Sequence, residues 1–154
     1  ARRGMTEKKR RLDAGISAFF DRYESAFNRT LRGDIDMEDV AALYASEFIA
    51  ASSAGVATGR NDDRLRQVMA EGYARYRAMG AKAMRIRSFR LTPMDEQHCV
   101  AHVGWTASYA RKDGADVPIE FDAHYLVQTL DGESKVFGWV SGDEEALLRE
   151  HGII

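Results

Sequence analysis

The chain has 154 residues, with 24 acids against 22 bases for a formal charge of -2, and is 45% hydrophobic and 30% charged. That length fits one domain, which buries roughly two thirds of its unfolded surface and needs no disulfide or metal staple. Balanced charge gives no general pull toward nucleic acid or anionic membrane, and no apolar run approaches the ~18 residues of a membrane span.

The lone cysteine, Cys99, cannot form an intrachain disulfide or supply a zinc site by itself. It is expected to be a small core residue on a strand. No charged-then-apolar leader opens the chain, so a cytoplasmic location is the expectation. Basic residues crowd the first eleven positions: Arg2, Arg3, Lys8, Lys9, Arg10 and Arg11. This stretch is read as a flexible, solvated tail on a single domain spanning 12–154. Met5 is a candidate native start, with Ala1 to Gly4 an expression remnant.

A first helix is expected over Asp13–Arg32. Ile16, Phe19, Phe20, Tyr23, Phe27, Thr30 and Leu31 fall at helical spacing on one face. Asp13 is its candidate N-cap and Gly33 its terminator. A short helix over Asp36–Ala45 follows, capped by Asp36, with Ile35 and Val40 spaced as a hydrophobic staple. Phe48–Thr58, rich in Ala, Ser and Gly, reads as a weak strand and a loop open to close approach.

A third helix over Asn61–Met79 buries Leu65, Val68, Met69, Gly72, Tyr73, Tyr76 and Met79. Asn61 is its expected cap, and Gly80 ends it. Its outer arginines, Arg64, Arg66, Arg75 and Arg77, read as a solvated face rather than a nucleic-acid contact. Long strands are then expected over Met84–Leu91, Gln97–Lys112, Pro118–Leu130 and Lys135–Ser141. Turn signals at Pro93-Met94-Asp95, Asp113-Gly114 and Asp131-Gly132 separate them. A terminal helix over Gly142–His151 has Ser141 and Glu144 at capping-box spacing. Gly152 and Ile153 are placed for a Schellman ending.

Side chains alternate across a sheet, so parity sorts each strand into two faces. Cys99, Ala101, Val103, Trp105, Ala107 and Tyr109 share one face of the second long strand, and Ile119, Phe121, Ala123, Tyr125 and Val127 share one face of the third. Both sets must lie on one side of the sheet. The register expected from this pairs Trp105 with Tyr125, Val103 with Val127 and Ala107 with Ala123, across a loop of odd length. It sets Thr106 beside His124 and Ser108 beside Asp122. His102 then lies roughly 13 Å from His124 at ~3.3 Å per residue, so no histidine metal site is expected. A two-residue turn at Asp131-Gly132 puts Val136, Gly138 and Val140 on the apolar side and Phe137 and Trp139 on the outer face. Two large outer aromatics need covering, and a second copy of the chain, docked through the sheet, is the simplest cover.

The element order, with Phe20-Asp21-Arg22-Tyr23 through Arg32-Gly33-Asp34, Ala42-Leu43-Tyr44-Ala45, and Trp139 and Ser141 after an Asp-Gly turn, resembles the nuclear transport factor 2-like superfamily over about residues 12 to 141. That group includes ketosteroid isomerases and SnoaL-like proteins. The resemblance implies an α+β, cone-shaped (cystatin-like) fold: N-terminal helices on a strongly curved antiparallel sheet, with a pocket for a small apolar or aromatic ligand. It also implies dimerisation through the outer face of the sheet. Tyr23 matches the oxyanion-donating tyrosine of the isomerases. Ser52 and Ser53 stand where those enzymes carry a carboxylate base, and Ala123 where they carry a second acid.

The resulting expectation is a cofactor-free, metal-free binding protein that contacts neither nucleic acid nor membrane. Its pocket would be walled by Tyr23, Phe27, Tyr73, Trp105, Phe121 and Tyr125, with Ser52 near the mouth. The enzymatic alternative is an isomerase, dehydratase or hydrolase using Tyr23 with Asp122 and His124, a histidine beside a carboxylate being a plausible base.

Overall fold

A computed structural model describes residues 2–34 and 36–154, with side chains described from residue 7 onward. Among these, four helices and six strands follow in the order α1 (Arg2–Leu31), α2 (Met37–Ala41), β1 (Tyr44–Ser52), β2 (Gly55–Arg60), α3 (Asp63–Ala78), β3 (Ala81–Pro93), β4 (His98–Tyr109), β5 (Val117–Leu130), β6 (Glu133–Ser141) and α4 (Glu144–Glu150). The strands form one sheet ordered β2-β1-β6-β5-β4-β3. Neighbours are antiparallel except β1 and β6, which run parallel.

The sheet curls about α1 without closing on itself. One turn of that helix therefore reaches strands far apart in the sheet order. The Phe20 ring lies 5.4 Å from Phe89 of β3, and Tyr23 lies 6.0 Å from Trp105 of β4 and 6.1 Å from Tyr44 of β1. Ile16, Phe19, Phe20, Tyr23 and Leu31 are buried as the helical spacing requires. Asn28 adds a polar anchor. Its side chain accepts from Met84 N at 2.7 Å and donates to Met84 O at 2.8 Å, fixing α1 to β3 as a strand neighbour would. Glu24 similarly accepts from Ile86 N at 2.6 Å, where β3 slips register.

Several boundaries differ from expectation. Helix α1 runs continuously from Arg2, so Asp13 lies inside it, and the segment expected as a flexible tail continues the helix. Lys8 to Arg11 are exposed there. A stretch of Arg, Lys and Glu favours helix without any apolar stripe to betray it. The staple with Ile35 lies outside the described residues. Asp36 does cap α2, accepting from Glu38 N and Asp39 N. Asn61 does not cap α3. Its amide donates to Ala41 O and Tyr44 O, and Asp62 accepts from Leu65 N instead. Asp143, not Ser141, caps α4 by accepting from Ala146 N. The Schellman ending holds: Gly152 N donates to Arg149 O, Ile153 N donates to Leu148 O, and Gly152 has φ 72°.

The segment read as a weak strand and loop is a hairpin. Ser52 pairs with Gly55 around Ser53-Ala54, a turn with none of the Asn-Gly chemistry that marks tight hairpins. Residues 42–45 are not the end of the second helix: Tyr44 opens β1.

The β4–β5 register is the largest correction. The pairs are Trp105–Phe121, Val103–Ala123, Ala101–Tyr125 and Cys99–Val127. The faces are those expected, and the residues outside the ladder, 110–116, are odd in number. The pairing, however, is shifted by four residues. Alternation fixes which face a residue takes, and the turn position fixes how far the strands slide. The hairpin centres on Asp113, beside Gly114 at φ 131°. His102 consequently faces His124, Gly104 faces Asp122, Thr106 faces Glu120 and Ser108 faces Pro118.

In the last hairpin Asp131 (φ 52°) and Gly132 (φ 77°) form the expected two-residue turn, and Leu130 pairs with Glu133. A bulge at Leu126/Val127 then reverses the parity of β6. Beyond it Trp139 pairs with inward-facing Tyr125 and points into the core side, and Val140 points outward at 50% exposure. Phe137 stays on the outer face, 6.0 Å from His98. The prediction of two outer aromatics is therefore corrected to one. Cys99 is buried as expected, and burial pushes its thiol up to about 11.

Candidate functional site

A partly open cavity of about 200 Å³ lies between α1 and the concave face of the sheet, with α3 and α4 at its rim. The chain contains six tyrosines and two tryptophans. Five of the tyrosines (Tyr23, Tyr44, Tyr76, Tyr109, Tyr125) and both tryptophans line this cavity, with Phe27 and Phe121. The sixth, Tyr73, stacks edge-on against Phe27 at 4.8 Å. Helical spacing delivers Tyr23 and Phe27 from α1, and strand alternation delivers Trp105, Tyr109, Phe121 and Tyr125 from β4 and β5. The β6 bulge delivers Trp139, which stacks on Phe48 at 5.2 Å and meets Tyr44 at 5.6 Å.

The polar groups of the cavity are mostly phenols. The Tyr23 and Tyr44 hydroxyls lie 2.6 Å apart, and Trp105 Nε1 donates to the Tyr125 hydroxyl at 3.1 Å. Burial raises Tyr23, Tyr44, Tyr73 and Tyr76 well above the usual phenol range, and takes Tyr109 and Tyr125 up to about 12. All six are therefore neutral hydrogen-bonding groups near neutral pH, not phenolates. Tyr23, Tyr44 and Tyr125 carry three O–H hydrogens. The bond between Tyr23 and Tyr44 uses one of their two O–H hydrogens, and Tyr125 accepts from Trp105 without donating to a side chain, so two phenol hydrogens have no acceptor among the described side-chain hydrogen bonds.

At the rim stands Glu144, whose two carboxylate oxygens accept from Tyr76 at 2.8 and 3.0 Å. Among the described residues it is the only charged one lining the cavity. Sequence reasoning missed Tyr44 and Glu144. Tyr44 was assigned to a helix, although Tyr44, Ser46 and Phe48 already alternate as a strand does. Glu144 was assigned to a capping box with Ser141, which does not form because Asp143 caps the helix.

The other expected site residues fall elsewhere. Ser52 is at the tip of the β1–β2 hairpin, where its hydroxyl accepts from Ala54 N, and it does not line the cavity. Asp122 and His124 lie on the opposite, outer face of the sheet. Asp122 pairs with Arg87 at 2.9 Å and His124 Nδ1 lies 2.7 Å from His102 Nδ1. The two do not meet each other, Ser108 or Tyr23. The 13 Å separation used to set aside a histidine metal site is thus overturned. Among the described residues, no group of three or more His, Cys, Asp or Glu side chains converges as a metal centre would. A larger depression of about 980 Å³ between the β1–β2 hairpin and α3 is an open groove with Arg60, Arg64, Glu47 and Asp62 along it.

Comparison with known proteins agrees with this architecture. The family described as NTF2-like protein (DUF6841) matches residues 10–144, and the chain belongs to that family. No curated protein matches the sequence. Solved structures with the same fold include a putative scytalone dehydratase from Novosphingobium aromaticivorans, at 13% identity and TM-score 0.65 over 88% of this chain and 86% of that one. An NTF2-like protein with a cystatin-like fold from the same species has 13% identity and TM-score 0.63 over 96% and 93%. A ketosteroid isomerase-like protein from Erwinia carotovora atroseptica has 18% identity and TM-score 0.56 over 84% and 93%. At these identities the likeness concerns the fold, which is the cone-shaped, cystatin-like α+β fold expected from the sequence. No described helix is long and apolar enough to cross a membrane.

Proposed function

We propose that this protein binds a small apolar or aromatic molecule carrying a hydrogen-bond-accepting oxygen, inside the tyrosine-walled cavity, and that it acts as a cytoplasmic homodimer. The observation that carries the reading is the convergence of five of six tyrosines and both tryptophans on one cavity. Aromatic walls with a few placed polar groups are typical of ligand sites. A spare phenol hydrogen calls for an acceptor on the ligand, such as a carbonyl oxygen. Size bounds the ligand further. A dry cavity of about 150 Å³ accommodates benzene, so about 200 Å³ has room for one ring and a short substituent.

The dimer is supported by the outer face of the sheet, where Ile49 is 45% and Val140 50% exposed beside Phe137 and Leu126. Sedimentation at micromolar concentration tests it: a mass near twice 17.3 kDa is expected, and a monomer refutes it. An enzyme combining Tyr23 with Asp122 and His124 is disfavoured, because those residues occupy opposite faces of the sheet. Binding itself is tested with acetophenone, a single ring bearing a carbonyl, followed by tryptophan fluorescence. Both tryptophans border the cavity, so saturable quenching reports occupancy there. Ala81→Phe, which plugs the rim, should abolish the quenching and leave the far-UV spectrum unchanged. Quenching that survives the plug would refute the site.

A further inference from the structure

We infer that, among small aromatic or apolar molecules that enter the cavity, those bearing an ammonium group are favoured over neutral or anionic ones of the same shape, with the ammonium held at the rim by Glu144 and the surrounding aromatic faces. The inference rests on the binding reading above and names the class of molecule bound.

Three observations support it. First, the charge inventory is one-sided. Glu144 lines the cavity, and among the described residues no lysine, arginine or histidine does. Three other depressions of the described surface each contain basic residues: Arg60 and Arg64, Lys9, or Arg22, Arg29 and Lys135. Second, Glu144 is not neutralised by the protein. The adjacent Glu145 is paired with Arg75 at 3.2 Å and Arg149 at 3.9 Å, whereas Glu144 has no basic partner among the described ion pairs. Its partner is the neutral Tyr76 hydroxyl, which donates to it and holds the carboxylate beside the opening. Its negative charge also contributes to the raised values of Tyr76, Tyr109 and Tyr125, so it is felt by rings along the cavity. Third, the walls are built largely from tyrosine and tryptophan rings, whose electron-rich faces attract a cation positioned over them. A carboxylate at the mouth of an aromatic enclosure is complementary to an ammonium on an apolar stem. It repels an anion of the same shape.

The test uses three single-ring probes of similar shape: 2-phenylethylamine (cationic), 2-phenylethanol (neutral) and 3-phenylpropanoate (anionic). Each is titrated into the full chain and followed by tryptophan fluorescence, with Ala81→Phe as the blocked control. The amine is expected to bind about ten-fold more tightly than the alcohol, as one exposed charge and cation–π contacts allow, and the propanoate more weakly than either. Glu144→Gln keeps the side chain's shape and its bond to Tyr76, and should bring the amine down to the alcohol's affinity while leaving the alcohol unchanged. Equal binding of amine and alcohol to the unaltered chain, or a preference for the amine that survives Glu144→Gln, overturns the charge selection and leaves the binding reading standing. Failure of all three probes to shift the fluorescence counts against both readings. Binding of the propanoate above the others overturns the inference outright.

Discussion

Replacing Tyr23 by Phe deletes a single oxygen and keeps the ring contacts with Phe19, Phe20, Tyr44, Trp105 and Tyr125. What is lost is the 2.6 Å bond to Tyr44. A buried neutral hydrogen bond contributes about 0.5–1.5 kcal/mol net, and stranding its partner costs about 1–3 kcal/mol. Tyr44 is 8% exposed and has no other side-chain bond, so its hydroxyl is stranded. A loss of about 2 kcal/mol is expected, which lowers Tm by roughly 4–8 °C in a domain of this size. Tyr44→Phe should cost a similar amount. The double variant removes both polar ends, so little further loss should follow, and the cycle should show a coupling of about 1 kcal/mol or more. Urea unfolding followed by far-UV circular dichroism measures all four proteins. Additive single losses, agreeing within about 0.3–0.5 kcal/mol, would refute the pairing and with it the hydrogen-bonded floor of the cavity.

Other outcomes follow from the same geometry. Burial raises all six tyrosines above their unfolded value near 10, so the stability they contribute is complete below that pH and is lost as pH rises through the folded values. Absorbance at 295 nm should accordingly stay flat past pH 10 and then rise together with unfolding; gradual ionisation of a folded protein would contradict the burial. His102 is shifted the other way, lowered by desolvation and by the nearby Arg90 and His124. Its contribution is present above the unfolded value of about 6.5 and is lost as pH falls through the lower folded one. Stability should therefore drop as pH falls below about 6.5, and His102→Gln should flatten that drop in thermal melts; an unchanged slope would remove His102 as the cause. A Cβ at Gly59 would run into the Phe48 ring, which is held in place by its stack on Trp139. Gly59→Ala should cost about 1–3 kcal/mol and perturb the tryptophan emission, whereas a silent substitution would show that the β1–β2 hairpin yields freely.

Much of the fold could be read from the chain because local chemistry and tertiary structure agree there. The stripe of Ile16, Phe19, Phe20 and Tyr23 requires a buried helix face, and the alternation of β4 and β5 requires one apolar sheet face. The Asp131-Gly132 turn and the Schellman glycine at Gly152 act within a few residues. These same local rules placed Tyr23, Phe27, Trp105, Phe121 and Tyr125 on surfaces that face one another, and the cavity brings those five together. Other features have no local signature. Alternation is indifferent to a slide by an even number of residues, so the shift that sets His102 against His124 was decided by the turn around Asp113. A bulge is a single extra residue, and the one at Leu126/Val127 turned Trp139 from the outer face into the cavity wall. Arg2 to Leu12 form helix without an apolar stripe, so periodicity could not announce it. Tyr44 and Glu144 become site residues only because the curled sheet brings β1 and α4 to the same opening as α1. The sequence by itself determined which residues are apolar, which face each takes and where the tight turns fall, since those depend on near neighbours. Only the tertiary structure decided the strand register, the inward turn of Trp139 and the meeting of Tyr44 and Glu144 with the other tyrosines, since those depend on how distant segments slide and close on one another.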